Sequence, residues 1–155
     1  MHRNPKLTGQ IFLGGSIQEG GPVKVLEDKE LTVRPSYDHK ISRKFQVQPS
    51  VRFANRKRIV GAPQMLQLSL DGRRLFVTTS LFSPWDKQFY PEMCKKGSML
   101  FMIDVDTVNG GLQLNNDFLI DFGAEPDGPC LAHEIRYPGG DCTSDIYVAD
   151  MDSHL

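Results

Sequence analysis

The sequence predicts an all-β protein of short antiparallel strands with a small helical insertion, and three observations carry that expectation. The 155 residues include 14 Gly and 10 Pro, a density of turn formers that suits many short strands better than a helical bundle. Residues 64–80 alternate with a period of two on either side of Asp71-Gly72, which is hairpin patterning. Residues 98–105, SMLFMIDV, form an apolar run of the length and composition of a buried strand. Hydrophobic residues make up 39% and charged residues 24%, which excludes a wholly disordered chain, and no coiled-coil or collagen repeat is present. No apolar run approaches the roughly 20 residues a bilayer demands, so no transmembrane segment is expected.

From the N-terminus, residues 9–26 read as two short strands around a glycine-rich loop. Ile11–Leu13 is one apolar run, and Val23 and Val25 flank Lys24 in alternation. The glycines at 14, 15, 20 and 21 fit neither GxxxxGK[ST] nor GxGxxG, so a turn is favoured over a phosphate loop. Residues 27–60 show no sustained period and read as a long mobile connection, with one short strand at Lys44–Val47. Residues 64–80 follow as the hairpin. Ser83-Pro84-Trp85-Asp86 opens a short helix, with Ser as cap, Pro in the first turn and Asp against the dipole. Pro91 interrupts it, and Glu92–Lys96 adds a turn that Gly97 ends. Trp85, Phe89 and Tyr90 are expected to plug the surface of a sheet. After the strand at 98–105, Leu112–Leu114 and Phe118–Phe122 read as two further strands. Residues 132–150 repeat the hairpin pattern around Pro-Gly-Gly-Asp.

Hairpins repeated at this spacing are the grammar of a β-propeller, and the length suffices for about two to three blades. A partial ring leaves sheet edges open.

Charge is unevenly spread. Net charge is -1, yet residues 34–60 carry eight Lys/Arg against one Asp, while the rest of the chain is acidic. The balance argues against a nucleic-acid binder. The cluster at 52–58, RFANRKR, reads as a solvated loop, with a nuclear-import or polyanion patch as the alternative. The opening MHRNPKLTGQ has no hydrophobic core of a secretory signal. Cys94, Cys130 and Cys142 are odd in number and show no zinc spacing, which suits reduced thiols. A cytoplasmic location is expected, with the nucleus as a second.

Three stretches then point to one family. These are LTGQIFLGGSIQEGGPVKVLED, GAPQMLQLSLDGRRLFVTTSLFSPWDKQFYPEMCKKGSMLFMIDVDTVNGGLQLNNDFLIDFG and GPCLAHEIRYPGGDCTSDIYV. Together they resemble the C-terminal third of the selenium-binding proteins, a family also called methanethiol oxidase in animals. WDKQFYP and HEIRYPGGDCTSDI are the most specific motifs. The chain departs from the family at residues 35–60, which are longer and more basic, and after Tyr147, where VADMDSHL replaces an abrupt end. Residues 1–155 are therefore expected to be a C-terminal fragment with a divergent basic insert at 35–60. The resemblance implies a seven-bladed propeller-like fold. It also implies oxidation of methanethiol by oxygen and water to formaldehyde, hydrogen sulfide and hydrogen peroxide, with copper associated with bacterial relatives. The selenium-linked cysteine of the family lies in the part this chain lacks.

Copper favours imidazole and soft sulfur ligands. His2 and His154 lie near the chain ends and His39 in the insert, which leaves His133, in the family-like AHE motif, as the metal-ligand candidate. One histidine does not make a site. Further ligands would come from the missing part or from Glu134, Asp141 or Cys142. A satisfied core histidine is the bland alternative. Cys142, between Asp141 and Asp145, should be a poor nucleophile, and Cys130 should be packed. Cys94, beside Lys95 and Lys96, has the best setting for a thiolate and is the candidate for selenium or thiol capture. Asp104 and Asp106 invite an acid/base or calcium reading, but turn caps are the favoured one. Arg136 and Tyr137 read as inter-strand hydrogen-bonding residues.

Two functions follow. One is the C-terminal part of a copper-dependent thiol oxidase acting on methanethiol. The other is a non-catalytic selenium- or thiol-binding module that engages protein partners in transport or degradation, with at most peripheral membrane association.

Overall fold

A computed structural model of the chain describes residues 6–25 and 48–136. The strand expected at Lys44–Val47, most of the basic connection, the turn and return strand of the second hairpin, Tyr137 and the tail after Tyr147 lie outside the described residues.

Four strands form an antiparallel sheet in chain order. With β1 (Phe53–Ala54) and β2 (Lys57–Arg58) forming a separate hairpin, the sheet runs β3 (Leu66–Leu68), β4 (Arg74–Thr78), β5 (Met99–Val105) and β6 (Leu112–Asp121). Two helices, α1 (Ser83–Phe89) and α2 (Pro91–Lys96), fill the connection from β4 to β5, and a 3-10 turn follows at Phe122–Ala124. Among the described residues the regular structure is mostly sheet, with few helices and no closed barrel.

The register decides which side chains share a face. Leu66, Val77, Phe101 and Leu119 stand side by side across the four strands, as do Leu68, Leu75, Ile103 and Leu114. The part of that face on β4, β5 and β6 is the core, and Leu66 on the edge strand is exposed. Leu13 from the N-terminal segment and Ala54 and Ile59 from the β1–β2 hairpin close over Val77, Met99, Phe101, Ile103 and Leu114. Burying such side chains is worth about 1.5–3 kcal/mol each before entropy is counted.

Several local expectations are corrected. Among residues 6–25 there are turns and bends and no strand. The glycines give the segment its turns, and Gln48 ties it down by donating from Nε2 to the carbonyls of Ile17 (2.9 Å) and Val23 (2.8 Å). Residues 53–58 are a hairpin rather than a mobile connection. Asn55 and Arg56 occupy its two-residue turn at φ 44° and 62°, the positive angles that match the twist of a hairpin. Ala54 and Ile59 are fully buried, so this end of the basic segment is integral to the fold. The exposed Lys57 pairs with Asp121 at the end of β6.

The 64–80 hairpin forms as expected, but its loop is the four residues 70–73. The Ser69 amide donates to the Arg74 carbonyl at 2.8 Å. Its burial is out of phase with hydrophobicity: Gln67 and Ser69 are buried, whereas Leu66 and Leu70 are exposed.

The helix at 83 starts with Phe82 as its cap residue, and Ser83 is its first helical residue. Trp85 and Phe89 plug no sheet surface among the described residues. They are exposed, with ring centroids 4.6 Å apart. The two strands expected at 112–114 and 118–122 are one, β6. Its register shifts between the partners of Phe101 and Ile103, so the polar run Asn115–Asp117 bulges. The freed Asn116 carbonyl accepts the Asn55 amide at 2.7 Å, which docks the β1–β2 hairpin.

Candidate functional site

At the C-terminal end of β4 the sequence Thr78-Thr79-Ser80 is entirely buried, with Asp86 and Ser98 beside it. Buried hydroxyls need partners, and those of Thr78 and Ser98 find them in the segment 130–133. The Thr78 hydroxyl donates to the His133 carbonyl at 2.7 Å. The Ala132 amide donates to Ser98 Oγ, and the Ser98 amide donates to the Cys130 carbonyl at 3.0 Å. Thr79 Oγ1 accepts the Met99 amide at 3.0 Å. Residues 130–133 are thus a strap laced across the ends of β4 and β5. The first arm of the expected second hairpin, residues 132–136, forms no strand, because hydroxyls take the place of a ladder.

The strap holds His133 at its backbone and leaves its ring exposed. Nδ1 lies 3.3 Å from the Ser80 carbonyl. A carbonyl only accepts, so this contact is a hydrogen bond in the form of the ring that carries a proton on Nδ1. Glu134 pairs with Arg136.

Asp86 is 1% exposed. Its carboxylate accepts the Ser80 hydroxyl at 2.6 Å and the Leu81 amide at 3.4 Å. Two protein donors offset part of the cost of burying that group.

The electrostatic basis expected for Cys94 is reversed. Burial pushes its thiol up, and the Asp86 carboxylate adds to the rise, with Lys87 opposing. Lys95 and Lys96 instead face Glu92, at 3.0 and 3.6 Å, and hold its carboxyl below the ordinary range. Cys130, expected to be packed, is exposed, whereas Cys94 is half-buried. Iodoacetamide should therefore label Cys130 before Cys94, as peptide mass mapping of a time course would read. Faster labelling at Cys94 would contradict this ordering.

The carboxylates of Asp104 on β5 and of Asp106 just after it are structural. Asp106 accepts the amides of Val108 and Asn109, both at 2.9 Å. Those bonds hold its carboxyl low, the Asn109 amide first. Asp104 accepts Asn115 Nδ2 at 3.1 Å. Cys142 and Asp141, and His2, His39 and His154, lie outside the described residues.

The model of the 56 kDa selenium-binding proteins matches residues 2–148. The chain belongs to this family. Methanethiol oxidase of Xenopus laevis is 62% identical over 146 residues, which cover 94% of this chain and 28% of that protein. Selenium-binding protein 2 of Mus musculus is 60% identical over the same shares. A solved structure of a hypothetical selenium-binding protein from Sulfolobus tokodaii is 40% identical, covering 61% of this chain and 19% of its own, with a TM-score of 0.49. The chain thus spans 28% of the length of the curated relatives it matches.

A family copper would need several converging ligands. Among the described residues no three His, Cys, Asp or Glu side chains converge. The described residues alone therefore hold no complete set of copper ligands.

Proposed function

We propose that this chain is the C-terminal part of a methanethiol oxidase, which converts methanethiol, oxygen and water to formaldehyde, hydrogen sulfide and hydrogen peroxide. The observation that carries the reading is the presentation of His133: its backbone is anchored by Thr78, its Nδ1 is engaged and its ring is exposed. In such an arrangement a histidine is oriented for metal through its remaining nitrogen. The other ligands would come from residues outside those described here, including those of the longer protein. Copper, when bound, would supply one-electron exchange with oxygen, and His133 would be one of the residues that hold it.

The four-stranded antiparallel order β3–β4–β5–β6 supports the reading of this sheet as one blade of a propeller. Selenium or small-thiol capture at Cys94 would be slow, since its thiol is raised. Location in the cytoplasm or nucleus is proposed on the sequence features alone.

The 155-residue chain by itself should release no hydrogen sulfide from methanethiol with copper supplied, in a sulfide-trapping assay. Copper-dependent release by this chain alone would sink the division of the site between its parts.

A further inference from the structure

Asp86 is a buried carboxylate whose place in the fold calls for a reason. It lies on α1, in the WDKQFYP motif, and among the described residues no Lys or Arg pairs with it. Its donors among the described residues belong to residues 80 and 81. The Leu81 amide and the Ser80 carbonyl are the two ends of one peptide unit, and that unit is trans. In a trans peptide the N–H and C=O point in opposite directions. Asp86 therefore sits behind the peptide and His133 in front of it.

We infer that Asp86 is a positioning residue for His133, acting through the Ser80–Leu81 peptide as an indirect carboxylate–histidine pair. A negative charge on the N–H side draws that proton and pushes electron density toward the carbonyl oxygen, as hydrogen bonds in a chain polarise one another. The carbonyl then accepts the Nδ1 proton of His133 more strongly. The bond from Ser80 Oγ to Asp86 fixes the peptide in rotation. The outcome is one tautomer, with the proton on Nδ1 and the Nε2 lone pair free, which direct carboxylate–histidine pairs achieve at metal sites by touching the ring. The Thr78 and Ser98 bonds hold the strap so that the ring meets this carbonyl. The inference deepens the ligand reading and rests on it for the use of Nε2. Its test needs no metal, so the two fail separately.

The test is the tautomer of neutral His133, read from ring nitrogen shifts in the 155-residue chain with labelled histidine. A His133→Gln variant assigns the signal among the four histidines. In the native chain the Nδ1–H form should dominate. Asp86→Asn keeps the shape and removes the charge; it should turn the majority over to the Nε2–H form that free imidazole prefers. Ser80→Ala keeps the carbonyl and loosens the peptide, and should shift the population the same way by less. A native His133 carrying its proton on Nε2 would overturn the inference whether or not the variants fold. So would a folded Asp86→Asn variant that melts lower yet keeps the native tautomer, because a purely structural role predicts that result.

Discussion

Phe101→Ala is expected to lower the stability of the chain by about 3–5 kcal/mol, the usual cost of emptying an aromatic site in a packed core. Phe101 is 0% exposed. It stands at the centre of β5, beside Val77 on one neighbour and Leu119 on the other. It lies in the same cluster as Leu13, Ala54 and Ile59 from the segments that close the core. Its truncation therefore loosens the sheet and its cover together. Small domains have about 5–15 kcal/mol in all, so much of the margin should go. Urea unfolding followed by circular dichroism measures it. A midpoint close to that of the native chain would mean that the described core does not hold the fold.

Gly61→Ala should be the next most damaging single change. Gly61 is buried at φ 78°, a region where a side chain costs about 1–2 kcal/mol. An added Cβ would lie 2.3 Å from Met93 Sδ and 2.5 Å from the Thr79 carbonyl. The methionine can swing aside, but the backbone oxygen cannot without moving the threonine–serine run that faces the strap. The Gly61 carbonyl also accepts the Gly15 amide at 2.7 Å, so a shift here passes to the N-terminal segment. Overpacking of this kind adds about 1–3 kcal/mol. The same unfolding experiment applies, and an unchanged midpoint would contradict the close approach at Gly61.

The strands with a strong periodic signal were legible in the residues. β3, β4 and β5 follow from the alternation at 64–80 and from the apolar run at 98–105. The β1–β2 hairpin was hidden because its turn is Asn55-Arg56, without glycine, and because only Ala54 and Ile59 of its neighbourhood are fully buried. β6 looked like two strands because Asn115–Asp117 is polar; those residues leave the ladder as a bulge and dock the hairpin. Glycine and valine at 9–26 imitate a strand pair, yet the segment packs by Leu13 and is tied through Gln48. His133 stood out in the sequence as the histidine of the AHE motif. Its anchors did not: Thr78 is 55 residues away and Ser80 is 53. Such contacts have no local pattern. At Cys94 the adjacent lysines misled, because side chains three and four apart on a helix meet each other, and here both lysines meet Glu92.

The most direct measurement is copper retention by a protein of the relatives' full length that carries this segment, native and His133→Ala, by metal analysis after gel filtration. Hydrogen sulfide release from methanethiol is followed on the same samples. Loss of a ligand should cost more than the roughly 10–100-fold in affinity that loss of a ligand's supporting partner brings. The variant is therefore expected to remain folded, lose its copper and stop releasing sulfide. A folded His133→Ala protein that keeps both copper and turnover would contradict it.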